Sequence, residues 1–109
     1  MNALRIGIIG GGIGGLTAAI ALRKVGHEVV VYEQARQFSR VGADINLTPN
    51  AAIALEGLGL GPRLRETAAF PTHRLSRTWD SGDVTSRIEM RQAAAERYGA
   101  SQYTMHRAD

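Results

Sequence analysis

Six glycines crowd between Gly7 and Gly15, behind a short apolar run and ahead of an alanine-rich one, and this arrangement leaves the chain few ways to fold. Leu4 to Ile9 carries three isoleucines and reads as a strand buried on both faces, stopped by Gly10-Gly11-Gly12. After the glycines, Ile13, Leu16, Ile20 and Val25 recur near helical spacing, and Ala18, Ala19 and Ala21 supply helix propensity with little bulk. Arg23 and Lys24 suit the negative end of the helix dipole and Gly26 suits the residue after it, so a helix is expected roughly from Gly14 to Val25. Val29 to Tyr32 is a second buried β run. It lies too close to the first for anything but a short right-handed crossover, which makes the two strands parallel neighbours. The fold class is therefore α/β, opening on a Rossmann-like βαβ unit.

The spacing of Gly10, Gly12 and Gly15 is G-x-G-x-x-G. At this place the first glycine makes the tight turn, the second lets backbone approach a pyrophosphate, and the third lets helix and strand pack closely. Unpaired N–H groups and the dipole at the helix N-terminus favour the anion, and no lysine of the P-loop kind follows. Glu33 ends the second strand where an acid accepts hydrogen bonds from ribose hydroxyls and disfavours a 2′-phosphate. The loop and Glu33 mark a dinucleotide site without separating FAD from NAD. A closely packed glycine turn and a solvated strand-end carboxylate are the plainer readings of the same residues.

Composition narrows the classes further. A chain of 109 residues suits one small domain. With no cysteine, disulfides, thiolate metal sites, iron–sulfur clusters and cysteine nucleophiles are excluded, and a cytoplasmic location is compatible. No metal site is expected. The net charge of +3 rests on arginines scattered among acids rather than massed in a stripe, which argues against nucleic acid as a partner. Ile6 to Leu22 is uncharged, but a helix starting before Gly10 would absorb five glycines at about 1 kcal/mol each, so neither a signal peptide nor a membrane span is expected.

Further along, Ala43 to Leu47 is extended, and Thr48-Pro49 supplies an N-cap and first-turn proline for a helix through Leu58. Gly61-Pro62 repeats that start. Thr72 to Met90 alternates around Ser81-Gly82; pairing Asp80 with Asp83 would put Leu75, Trp79, Val84, Ile88 and Met90 on one face of a hairpin. Such a face needs a cover, because a two-stranded hairpin alone is marginal in water. Arg91 to Tyr98 is mostly alanine and charge. Gln102 to His106 is strand-like, and Asp109 has the character of an N-cap with no helix after it, so a fragment of a larger protein is expected.

From Gly10 to Glu33, through Arg40-Val41-Gly42-Ala43-Asp44-Ile45-Asn46-Leu47-Thr48-Pro49-Asn50, and again at Thr104-Met105-His106-Arg107-Ala108-Asp109, the sequence resembles the FAD-dependent aromatic hydroxylases. These are the single-component flavoprotein monooxygenases, and the likeness is to members of the salicylate and 6-hydroxynicotinate kind, in their N-terminal part. The resemblance implies an N-terminal portion of an FAD-binding domain over 1–70. It further implies the start of an antiparallel-sheet substrate domain, hairpin and connector, over 71–100, and a segment returning to the FAD domain over 101–109. It assigns the adenosine half of FAD to Gly10, Gly12, Gly14, Gly15, Glu33 and Gln34. The flavin side falls to Gly42, Ala43 and Asn46, with Arg107 reaching back to the cofactor.

Many relatives have glycine where Asp44 stands and some have histidine where Asn46 stands, and the later Asp-Gly and Gly-Asp motifs of the family are missing. The complete enzyme implied would use NAD(P)H and O2 to hydroxylate a small aromatic acid, the flavin carrying the chemistry. The chain alone is expected to be incomplete, inactive and weak in retaining FAD. An FAD oxidoreductase that inserts no oxygen and a non-catalytic nucleotide-binding remnant are the alternatives. No catalytic base is assigned: His27, His73 and His106 all read as structural or solvated.

Overall fold

The computed structural model describes residues 2–39 and 42–109, so Arg40 and Val41 of the family-like stretch lie outside the described residues. The chain divides into two compact units, Met1–Ser39 and Arg40–Asp109.

In the first unit, β1 (Arg5–Ile9), α1 (Ile13–Lys24) and β2 (Glu28–Tyr32) follow one another, each within about a residue of its expected bounds. The strands pair in parallel from Arg5↔Glu28 to Ile9↔Tyr32. Arg23 and Lys24 occupy the last turn of α1, and the Gly26 N–H bonds back to the Arg23 carbonyl. The expectation of strands buried on both faces is not met. Ile6, Ile8, Val29 and Val31 are half-buried, while Arg5, Gly7, Ile9, Glu28, Val30 and Tyr32 alternate onto an exposed face where Ile9 is 87% accessible. Among its described residues the unit contains a single helix, and one helix covers one face of a two-stranded sheet.

The second unit runs β3 (Asp44–Leu47), α2 (Pro49–Gly57), α3 (Gly61–Thr67), β4 (His73–Arg77), β5 (Val84–Glu89), α4 (Gln92–Tyr98) and β6 (Tyr103–His106). Its core is Leu47, Ala52, Leu64 and Tyr103, flanked by Ile45, Leu55, Phe70 and Met105. Phe70 and Tyr103 pack with ring centroids 4.9 Å apart and planes tilted by 58°. β3 and β6 are antiparallel, with Leu47 opposite Tyr103 and Asp44 opposite His106. Ala69 bridges Thr104 on the other side of β6 through two backbone bonds. Thr48 is the N-cap of α2 with Pro49 in the first turn, as expected, but its hydroxyl donates to Asn50 Oδ1 at 2.5 Å instead of accepting a helix N–H.

The hairpin forms with another register than the alternation suggested. Arg74 lies opposite Ile88 and Leu75 opposite Arg87, so Leu75 and Ile88 fall on opposite faces, and a bulge between Ser76 and Arg77 shifts the pairing again to Arg77↔Val84. The cause is the turn. Instead of a two-residue Ser81-Gly82 connection, Thr78 and Asp83 close a wider loop: the Thr78 N–H donates to the Asp83 carbonyl, and the Thr78 hydroxyl accepts from the Asp83 N–H at 3.0 Å. Every residue of both strands is exposed. The alanine-rich stretch after it folds as α4. Among the described residues, no helix is long and apolar enough to cross a membrane.

Candidate nucleotide-binding site

The glycine loop leaves β1 through Gly10, whose N–H donates to the Tyr32 carbonyl at 2.7 Å as the last rung of the ladder, and whose φ of +106° suits glycine alone. Gly12 is the N-cap of α1 in extended conformation, and the first helical bond runs from Leu16 N–H to the Gly12 carbonyl. The N–H groups of Ile13, Gly14 and Gly15 precede that bond. Gly12 has no side chain to cap them, and the first turn holds no acid to compete with an incoming anion. A Cβ on Gly15 would collide with the Gly10 carbonyl oxygen, whereas one on Gly14 would meet nothing within 4 Å. The loop is thus closed on its sheet side and open at Gly14.

Glu33 stands just past β2 and reaches into this loop. Its Oε2 accepts from the Gly11 N–H at 2.6 Å and its Oε1 from the Ala35 N–H at 2.9 Å. Gly11 is buried, and Gln34 follows Glu33 into an exposed bend. Gly10, Gly12, Gly14, Gly15, Glu33 and Gln34 therefore gather at the C-terminal ends of β1 and β2 and the N-terminus of α1, all in the first unit. The buried Gly11 was passed over by the motif spacing; its only sequence signal is the unbroken Gly10-Gly11-Gly12 run.

The other four candidates belong to the second unit. The pairing of β3 with β6 brings residues about 60 positions apart side by side. The Arg107 N–H donates to the Ala43 carbonyl at 3.4 Å, extending the ladder by one rung. A Cβ on Gly42, which sits at φ +117°, would lie 3.7 Å from Arg107 Cδ, so the arginine side chain runs along the bare glycine backbone. Arg107 is exposed and its guanidinium has no ion-pair partner among the described residues. Asn46 Oδ1 accepts from the Thr104 hydroxyl at 2.9 Å, which fixes the amide's orientation. Thr104 was not singled out from sequence, because its partner is set by strand pairing alone.

The three histidines are engaged with their surroundings. His27 Nδ1 accepts the Leu4 N–H and His106 Nδ1 accepts the Ala108 N–H, while His73 Nε2 lies 3.4 Å from Arg87. Among the described residues, no group of three His, Cys, Asp or Glu is placed to hold a metal ion.

Residues 8–80 match the family model of the NAD(P)-binding Rossmann-like domain. Curated relatives include 6-hydroxynicotinate 3-monooxygenase of Pseudomonas fluorescens, 43% identical over 96% of this chain and 27% of that protein. The 3-amino-4-hydroxybenzoate 2-monooxygenase PtmB3 of Streptomyces platensis is 44% identical over 99% of this chain and 27% of its own length. Among solved structures, Klebsiella pneumoniae HpxO complexed with FAD and uric acid superposes with a TM-score of 0.84 at 32% identity, over 96% of this chain and 26% of that one. The chain spans about a quarter of the length of the curated relatives it matches. With the end of β1, the glycine loop, α1 and β2 inside the matched residues 8–80, the chain belongs to the NAD(P)-binding Rossmann-like domain family.

Proposed function

We propose that this chain is the FAD-binding portion of a flavoprotein monooxygenase that hydroxylates a small aromatic acid with NAD(P)H and O2. The observation that carries the reading is the β3–β6 pairing, which sets the Arg107 guanidinium, without an ion-pair partner among the described residues, beside Gly42 in addition to the glycine loop. A generic nicotinamide site accounts for the loop and Glu33 and leaves that second cluster without a task.

The residues fit the cofactor's ADP half. The N–H groups ahead of the first helical bond offer the pyrophosphate donors and a favourable dipole, and the open space at Gly14 admits its approach. Glu33, an acceptor at the strand end, suits a ribose diol and repels a 2′-phosphate. Gln34 adjoins it. Gly42, Ala43 and Asn46, with the cation of Arg107, would hold the flavin side. FAD, when bound, supplies the redox and oxygen chemistry. The part of this chain is to bind and orient, and none of its histidines is given a proton-transfer task. The relatives' names describe hydroxylation of rings that already bear a hydroxyl and a carboxyl group, which supports a small aromatic acid as substrate. In this reading 1–70 belongs to the FAD domain, 71–100 begins the substrate domain and 101–109 returns to the cofactor, in a cytoplasmic protein with neither nucleic acid nor membrane as partner.

Titrating the 109-residue chain with ADP, 2′-phospho-ADP and FAD tests this. ADP and FAD bind, and 2′-phospho-ADP binds at least about tenfold more weakly because a second negative charge faces Glu33. Arg107→Ala weakens FAD and spares ADP; an equal loss for both would count against a flavin-side role. In a flavin-loaded protein carrying this chain, product formed under labelled dioxygen carries the label, and unlabelled product points to an oxidoreductase without oxygen insertion.

A further inference from the structure

We infer that Glu33 is a positioning residue for the glycine loop as well as a ribose acceptor, acting through the N–H of Gly11; the inference rests on the nucleotide reading of that loop. The geometry is specific. Gly11 is not one of the three spaced glycines, yet it is buried and its N–H meets Glu33 Oε2 at 2.6 Å, the short distance of a charge-assisted bond. The other carboxylate oxygen is held by Ala35 N–H at 2.9 Å, so backbone groups on both sides fix the side chain. A carboxylate has about four acceptor sites, and backbone and ribose donors can share it.

The consequence for the loop follows from what else holds it. The β1–β2 ladder ends with the Gly10 N–H on the Tyr32 carbonyl. Gly10 itself is at φ +106°, a pliant glycine between the sheet and the rest of the loop. The Gly11–Glu33 bond is the next tie across to the end of β2, and Gly12, immediately after it, is the N-cap that aims the first turn of α1. A displaced Gly11 therefore carries the pyrophosphate donors with it. Gly11 has the space this tie needs only because it lacks a side chain: a Cβ there would lie 3.0 Å from Glu33 Oε2, 3.1 Å from its Cβ and 3.3 Å from its Cγ.

The test uses inorganic pyrophosphate, which has no ribose, beside ADP. Glu33→Asp keeps the charge and withdraws the carboxylate by one methylene. In the full chain it should speed hydrogen exchange of the Gly11 amide and weaken both pyrophosphate and ADP by about tenfold, the scale of one charge-assisted bond to backbone. Glu33→Gln retains an amide oxygen able to accept from Gly11, so Gly11 exchange and pyrophosphate affinity stay within about threefold of wild type while ADP binding falls. If Glu33→Asp leaves Gly11 exchange and pyrophosphate binding unchanged and only ADP suffers, Glu33 serves the ribose alone and the positioning role is overturned. Should the Asp variant fail to fold, a folded Glu33→Ala variant whose Gly11 exchange and pyrophosphate affinity stay at wild-type values overturns it equally, since alanine offers Gly11 no acceptor. Failure of wild type to bind ADP or FAD would instead sink the nucleotide reading, and the Gly11 exchange comparison would still decide whether Glu33 holds the loop.

Discussion

At Gly15 a methyl group has no room, and at Gly14, one residue earlier on the same helical turn, it has nothing to touch. The two substitutions therefore separate packing from propensity. Gly15→Ala forces helix α1 away from the Gly10 carbonyl and should destabilise the first unit by about 1–3 kcal/mol, the usual cost of overpacking. Gly14→Ala should be neutral or stabilising by up to about 1 kcal/mol, because alanine is the better helix former. Urea denaturation of the two variants against wild type checks this, and a Gly15→Ala protein as stable as wild type would mean that helix and strand have slack the geometry does not show. The spaced glycines and the strand-end acid were legible from sequence because each answers to a fixed interval along the chain. Gly11 and Thr104 were not, because their tasks come from Glu33, 22 residues away, and Asn46, 58 residues away.

Helix α4 begins on a side chain that precedes it. Glu89, the last residue of β5, accepts the N–H groups of Arg91 and Gln92 on one oxygen and that of Ala93 on the other, at 2.6–2.9 Å. These bonds, with Ala93 and then Gln92 leading, hold its carboxyl below the ordinary value of 4.5. A carboxyl depressed in the folded state contributes stability that is fully present above its unfolded value near 4.5 and is lost as pH falls through the lower folded value. The amides of the first turn of α4 should thus keep constant protection at neutral pH and lose it in acid below about 4.5, the ordinary carboxylate value. In Glu89→Gln the same amides should exchange faster at neutral pH and show little further change in acid; an unaltered pH profile in that variant would remove Glu89 as the cap. In sequence this segment reads only as alanine and charge, with no helix expected there, because the acid that starts the helix belongs to the preceding strand. The hairpin shows the same limit from the other side. Alternation located both strands correctly, yet their register depended on whether Ser81-Gly82 or the Thr78 hydroxyl made the turn, and that hydroxyl chose a loop two residues wider.

Apolar burial is divided unevenly along the chain. Leu47, Ala52, Leu64, Ala94 and Tyr103, all in the second unit, are buried, whereas Ala19 is the one buried apolar side chain among the described residues of the first. Ile9, Val30 and Tyr32 on the bare face of the β1–β2 sheet are 87%, 45% and 59% accessible. This face escaped a reading of the sequence because an isoleucine-rich run states that a strand can be buried on both sides, not that a second layer is at hand. Opening free energy follows buried contacts, so the amides of β1 and β2 should exchange faster than those joining β3 to β6. Nucleotide changes that order. A ligand bound only by the closed form, present at about 100 times its Kd, stabilises that form by about 2.7 kcal/mol and slows exchange through opening about 100-fold. With ADP at such excess, protection should rise by that factor across β1, α1 and β2 and stay unchanged between Ile45–Leu47 and Tyr103–Met105 if the two units open separately. Hydrogen exchange read residue by residue with and without ADP decides it. A uniform rise would show that the units open as one, and a rise confined to the second would place the nucleotide away from the glycine loop.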